Sequence, residues 1–458
     1  MNTEVNPYLA GNYKPIPTES DHRKLQVKGM IPKQIRGLFA RNGPNPKFNP
    51  HEPYHWFDGD GMLHGVSFRD GEAHYLNRFI KNANLTKDVE AGQAVSLGAK
   101  DRKRTAPRNP SNTALLWHHG KLLSLYETSS PYEINRDTFE TVGLYDFRGA
   151  YQKAFTAHPK VDPVTGDLIF IGYDLMSPKV SYGVFDVNGD LKHQNVIPIP
   201  YPVMMHDVAI TQNYTILLHL PLELKVENLA KGLSPWSFDR HKPARFGVLP
   251  RFGRSDEIQW FETDPCYIFH IANAYEDGGD IVLDAARLAY TDVLPAPDPR
   301  KIKDEDHWDD YGRLSRFTFN LESGSASWKP LLMRRGDFNR INEAYVGRRH
   351  DFSYMSHFEP ETVGMEVRFN GLTKFDHRRQ IPAYHLFPRG TYGGEGVFIP
   401  DEERDGEDAG WLATFVHDDG ADQSSLILVD CQNFEAPPVA EIVIPSRVPY
   451  GTHGLWIE

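Results

Sequence analysis

Residues 61–80 read GMLHGVSFRDGEAHYLNRFI, two strand-like runs joined at RDGE. Apolar and aromatic side chains alternate with polar ones on both sides of the turn, and the central Asp-Gly supplies the positive-φ positions of a tight hairpin. The same pattern recurs in TALLWHHGKLLSLYE (113–127), DPVTGDLIFIGYD (162–174), YGVFDVNGDLKHQNVIPI (182–199) and WLATFVHDDGADQSSLILVD (411–430). Hairpins spread over the whole chain predict an all-β fold, a propeller or a large sandwich. Glycine (37 residues), proline (34) and aromatics (12%) are the mix that many short strands and tight turns require. No strict internal repeat is visible, so the pattern alone leaves the blade number open. Irregular or helical interruptions near 82–112, 220–256 and 285–312 are expected as insertions that cap one face of a propeller. No Ser/Gly linker divides the 458 residues, which predicts one domain with insertions.

The formal charge of −12 leaves no basic surplus for phosphate contacts, which argues against nucleic acid and against a strongly anionic lipid surface. Cys266 and Cys431 are the two cysteines, far apart and in no CxxC pattern, so neither a disulfide framework nor a thiolate zinc site is implied. The start, MNTEVNPYLAGNYKPIPTE, lacks a basic region followed by an apolar stretch, and no run of about 18 apolar residues occurs. A cytoplasmic location is the expectation. No Gly-rich dinucleotide loop or GxSxG elbow is present either.

Twenty histidines are too many for all to be ligands, and the ordinary role of any one is a surface or hydrogen-bonded core residue. Context selects four. His158 stands in TAHPKVDPVTGD, where the following proline fixes the backbone at a strand start. His206 lies in PVMMHDVAIT, His270 in YIFHIANAYED and His453 in YGTHGLWIE, all inward-looking segments. A buried imidazole with no partner costs roughly 1–3 kcal/mol, so four of them need four explanations or one shared metal. Their wide spacing excludes a zinc finger and an HExxH helix. Four imidazoles suit Fe, Zn, Cu or Ni and leave one or two positions open. Metal-bound histidines usually donate their second ring N–H to a carboxylate, and Glu127 in LLSLYETSSPYEI and Glu395 in TYGGEGVFIP are isolated acids beside apolar neighbours. A strand-end acid capping a turn explains either of them as well.

Eight blocks, in order, resemble those of the carotenoid cleavage oxygenase family: GLFARNGPNPKF (37–48), HWFDGDGMLHGVSF (55–68), AHPKVDPVTGDL (157–168), MMHDVAIT (204–211), FHIANAYE (269–276), INEAYVGRRH (341–350), GGEGVFIP (393–400) and HGLWIE (453–458). The resemblance covers almost the whole chain. It implies a seven-bladed β-propeller carrying one Fe(II) per subunit, held by His158, His206, His270 and His453. It also implies the splitting of an electron-rich carbon–carbon double bond by dioxygen into two carbonyl products, with no organic cofactor.

The family's outer shell is three acids, two of which carry over onto Glu127 and Glu395. The third is a glutamate in a block like EFPRI, which reads here as GDFNRI (336–341) with Asp337 at the acidic position. An aspartate is one methylene shorter, which puts a direct hydrogen bond to a ligand histidine in question. Thr113, in SNTALLW, matches a threonine that in some members lies near the vacant coordination position; plain strand packing accounts for it too.

Family members divide between carotenoids or apocarotenoids and phenolic alkenes such as stilbenes, isoeugenol and vinylguaiacol. The phenolic branch resembles KEDS or KEDG at the first outer-shell acid, with a lysine that contacts the substrate phenol; here that position is Tyr126. The nearest match to that branch's second phenol contact, SLGAKDRK, has Lys100. A carotenoid or apocarotenoid is therefore the expected substrate and a stilbene or phenylpropenoid the alternative. A non-cleaving carotenoid- or retinoid-binding protein or isomerase is a third reading, though a carrier needs no metal cage. LPLELKVENLAKGLSPWSF (220–238) places leucines and aromatics among charges, as a peripheral membrane contact or as core beneath a loop. Oligomeric state is not legible.

Overall fold

A computed structural model of the chain describes residues 6–51, 54–95, 108–225, 227–228, 236–291, 312–358 and 368–458. Their contacts divide them into two compact units, one formed by Met1–Gln152, Arg368–Leu372 and Tyr384–Glu458, the other by Lys153–Val367 and Thr373–Ala383.

In the first unit, Met62–Arg69 and Glu72–Phe79 form the hairpin read from residues 61–80. Asp70 (φ 54°) and Gly71 (φ 81°) both take positive φ, the two-residue turn whose twist matches the flanking strands. Ser20–His22 adds to one side, Gly37–Arg41 to the other, and Gly454–Ile457 completes a five-stranded antiparallel sheet. Gly65 is required here, because a Cβ would meet the buried Phe139 ring at 2.4 Å. A second sheet is the meander Ala114–His118, Lys121–Leu125, Tyr132–Ile134 and Thr141–Leu144, its first turn again made by two positive-φ residues, His119 and Gly120. Gly410–Asp418 and Gln423–Asp430, the predicted 411–430 hairpin, continue through Ala440–Ile444 to Gln26–Gly29. Phe39, Val66, Tyr75, Trp411, Phe415, Leu426 and Ile442 are the centre of the core in this unit.

The second unit repeats one plan three times. Lys160–Val161, Leu168–Asp174, Ser177–Phe185 and Leu191–Pro198 form a four-stranded antiparallel meander. Val208–Ile210, Tyr214–His219, Ala244–Pro250 and Gln259–Thr263 form the next, and Tyr267–Asp277, Asp280–Leu288, Arg313–Asn320 and Ala326–Arg340 the third. Four-stranded meanders laid down in chain order are how propeller blades are built. Side chains of adjacent meanders interdigitate, with Leu218, Phe246, Phe261, Leu283, Phe317 and Phe319 sharing one cluster.

The interruptions resolve unequally. Residues 83–91 form a helix, capped by the Asn82 side chain and ended by Gly92 in the left-handed region. Residues 96–107, part of the first expected insertion and with them Lys100, and residues 292–311, most of the third, lie outside the described residues. The interval 220–256 needs correction as an insertion, because Ala244–Pro250 pairs on both edges and is an integral sheet strand. Arg245, half-buried and paired with the exposed Glu262, is the kind of charge that disguises it. In 220–238, Leu220 and Leu222 are buried and Trp236 and Phe238 pack against the same cluster, the core alternative for those four; Leu229 and Leu233 lie outside the described residues. No helix among the described residues is long and apolar enough to cross a membrane.

Candidate metal centre

Three of the four selected histidines stand at the entrance of three successive meanders. His158 comes two residues before Lys160–Val161, His206 two residues before Val208–Ile210, and His270 is the fourth residue of Tyr267–Asp277. A strand entrance frees the side chain from cross-strand neighbours while the sheet behind fixes the backbone. The Thr156 hydroxyl accepts the His158 backbone N–H at 3.0 Å and sets its local turn. At His270 the ladder to Asp280–Leu288 skips from Ile268 to Ile271, a bulge that re-aims the ring.

The three imidazoles converge. Ring centroids lie 4.5 Å apart for His158 and His206, and 5.3 Å apart for each of these with His270. One ring nitrogen from each falls within 4.8 Å of the others. Two metal–nitrogen bonds of about 2.0–2.1 Å span roughly 3–4 Å between ligand atoms, so three donors this close suit a single ion. An all-imidazole set without thiolate fits iron, zinc, copper or nickel.

Asp337 makes the bond that its length put in question. His270 Nδ1 lies 2.9 Å from Asp337 Oδ1, and because an ionised carboxylate only accepts, Nδ1 donates and Nε2 is the ring atom that could face a metal. The backbone supplies the missing methylene. Phe338 takes φ 55°, and the register between Ala326–Arg340 and Phe352–Phe358 shifts between Asp337 and Arg340. Gly336 allows this close approach, since a Cβ there would meet Met355 Cε at 2.2 Å and Ser356 O at 2.5 Å. The Phe338 ring lies 4.9 Å from the His270 ring, and Asn339 Nδ2 donates to the His270 carbonyl at 3.1 Å. GDFNRI thus grips His270 at its ring and at its backbone.

In the other unit, Glu395 and His453 form a matching pair, with His453 Nδ1 donating to Oε1 at 3.0 Å and Gly454 N to Oε2 at 2.7 Å. Both side chains are buried. The His453 backbone N–H donates to Thr113 O at 3.2 Å, and the Thr452 hydroxyl reaches the same carbonyl at 2.5 Å. Thr113 therefore holds the His453 segment through its backbone, while its own hydroxyl donates to Asn112 Oδ1 at 3.2 Å. Glu127 is half-buried in the turn that follows Lys121–Leu125.

A second cluster has no signal in the sequence. Asp284, His350 and His377 bring donor atoms within 4.8 Å, all buried. Arg316 takes both Asp284 oxygens at 2.8 Å and approaches His377 Nδ1 at 3.0 Å, so a cation there would face a guanidinium. Burial pushes His350 down to about 4 and His377 to about 3, which keeps both neutral. Burial alone would raise Asp284, but the Arg316 hydrogen bonds hold it below the usual carboxylate range. This is an ion-pair network rather than a metal site. Nothing in the sequence places Arg316 beside residues 32 and 61 positions away.

Residues 13–458 match the family described as retinal pigment epithelial membrane protein. The chain belongs to the carotenoid cleavage oxygenase family. It is 36% identical to the carotenoid 9,10(9',10')-cleavage dioxygenase 1 of Arabidopsis thaliana, over 98% of this chain and 89% of the relative. The isoeugenol monooxygenase of Pseudomonas nitroreducens is 30% identical, over 99% of this chain and 98% of that one. Among solved structures, the lignostilbene dioxygenase of Pseudomonas brassicacearum superposes with a TM-score of 0.89 at 26% identity, over 99% of this chain and 98% of that one. A Synechocystis apocarotenoid oxygenase variant gives 0.89 at 25% identity, over 98% of each chain. The expected all-β, seven-bladed β-propeller is thus the fold class of this carotenoid cleavage oxygenase. The family is iron-dependent, and the chain is an alkene-cleaving oxidoreductase that incorporates oxygen.

Proposed function

We propose that this oxygenase cleaves a carbon–carbon double bond of a carotenoid or apocarotenoid, with one Fe(II) per subunit held by His158, His206 and His270 and by His453, the fourth ligand the resemblance assigns. The observation that carries the metal reading is the convergence of three imidazoles, one of them oriented by Asp337. Bound iron would supply the site for dioxygen activation. What the chain's residues contribute is arrangement: Asp337 and Glu395 fix the tautomer and plane of His270 and His453, and Thr113 O and Asn339 anchor their backbones. Phe269, whose ring meets His206 edge-on at 5.4 Å, and Phe338 give the His cluster an apolar border suited to a polyene. Glu127 is proposed as the third outer-shell acid.

The carotenoid side is favoured by Tyr126, which stands where the phenolic branch carries lysine, and by the identity to plant carotenoid dioxygenases. The test is to supply anaerobically purified, iron-loaded protein with an apocarotenal and, separately, a hydroxystilbene, then admit oxygen and identify the products. Aldehydes from the apocarotenal are expected. Aldehydes from the stilbene alone would move the chain to the phenolic branch, and none from either would favour a binding role.

A further inference from the structure

Asp337 and Glu395 bond to imidazole rings, but one buried carboxylate with no part in the proposal above bonds to what carries the rings. Asp207 is 2% exposed and directly follows His206. Its Oδ1 accepts from the Lys160 ammonium at 2.5 Å and from Val208 N at 2.7 Å. Its Oδ2 accepts from Ile271 N at 3.0 Å. Lys160 also donates to the His158 carbonyl at 3.4 Å. One carboxylate, on the residue that follows His206, is therefore tied to the residue that follows His270 and, through Lys160, to the segment of His158.

We infer that Asp207 is a positioning residue that sets the spacing of His158, His206 and His270 for a metal ion; the inference rests on the metal reading given above. Physical reasons make each tie specific. Tyr267–Asp277 is the end strand of its sheet among the described residues, so Ile271 N has no strand to pair with and needs an acceptor inside the protein. The Asp207 bond to Val208 N locks the carboxylate to its own turn and so to His206. Lys160, partly buried, finds its counter-charge in Asp207 and carries the constraint across to His158. An asparagine keeps the shape but presents one acceptor and one donor to three donors, so at least one tie is lost whichever way the amide is turned. Loss of an outer-shell contact typically weakens metal binding by roughly 10–100-fold.

The test uses the full chain, stripped of metal and titrated with cobalt(II), read by the visible absorption of the bound ion and by competition with a chelator. Asp207→Asn, folded by circular dichroism, is expected to bind cobalt(II) at least about tenfold more weakly and with an altered absorption envelope. Unchanged affinity and envelope in that variant would overturn the inference. Should Asp207→Asn not fold, Lys160→Met and Lys160→Arg decide: weaker binding and a changed envelope in the first, recovered in the second, supports the inference, and wild-type behaviour of Lys160→Met overturns it. Failure of the wild-type chain to take up cobalt(II) would instead remove the metal reading itself, which separates the two failures.

Discussion

Replacing Asp337 with alanine tests the site at the point where the sequence raised a question and the structure answers it. The substitution removes the acceptor of His270 Nδ1–H, 2.9 Å away, and of Phe338 N, 2.8 Å away. Both side chains are little exposed, His270 at 12% and Asp337 at 13%, so water replaces the lost partner poorly. An unmet donor of this kind costs about 1–3 kcal/mol, which is a factor of roughly 5–150 in an equilibrium constant. We expect iron to dissociate about 10–100-fold more readily from Asp337→Ala, the range usual for such outer-shell losses. Asp337→Asn keeps one acceptor oxygen for the ring and is expected to lose less than about tenfold. Asp337→Glu gains nothing, because the bulge at Phe338 has already brought the backbone in and an added methylene has to be displaced. The assay is anaerobic Fe(II) titration against a chelator, with circular dichroism to confirm folding. Binding by Asp337→Ala within twofold of wild type would refute the reasoning.

His206→Ala should lose most of its iron on purification, and full occupancy measured by elemental analysis would refute the ligand assignment. Deleting residues 454–458 removes the strand paired with Gly37–Arg41, the buried Ile457 and the Glu395 contact to Gly454; a melting temperature lowered by at least about 5 °C is expected, and an unchanged one would show that this strand contributes little. Acid should weaken the fold early, because His350 and His377 are neutral when folded but bind protons at their ordinary value when unfolded. Stability is therefore present above about pH 6.5 and falls as pH drops towards about 4 for His350 and about 3 for His377. Asp284, held low, adds a further loss below its ordinary range as pH falls. Chemical denaturation of His350→Gln should show a shallower decline between pH 7 and pH 4, and an identical slope would count against this account.

The hairpins were legible because their signal is local: Asp70-Gly71 and His119-Gly120 announce turns whatever the rest of the chain does. The histidines were legible as candidates for a similar reason, each being a polar ring in an apolar run, although only the family's ordered blocks singled out iron. Ala244–Pro250 resembles part of an insertion in sequence because strand identity there depends on partners about 30 residues upstream and 15 downstream, not on its own alternation. For Asp337 the sequence offers side-chain length alone. Reach, however, is a property of backbone plus side chain, and the positive φ of Phe338 has no sequence signature in a residue type that rarely adopts it. Asp207 carries no sequence signal, because an acid at a strand entrance is ordinary until its three partners are assembled.

These cases share one cause. A meander fixes the far ends of its strands by pairing, but the residues just before the first strand have no ladder to hold them, and His158 and His206 are both placed there. Carboxylates replace the missing ladder: Asp207 acts on the backbones that carry the rings, and Asp337 and Glu395 on the rings themselves. The two kinds of constraint predict different losses. Removing a ring-facing acid should free one imidazole and leave the others near one another, so that metal binding weakens while some coordination persists. Removing Asp207 should loosen three ligand segments together, and the absorption of a bound probe metal should broaden rather than change to that of a site with one ligand fewer. A cobalt(II) spectrum of Asp207→Asn that matches that of Asp337→Ala would show that the distinction between the two shells does not hold.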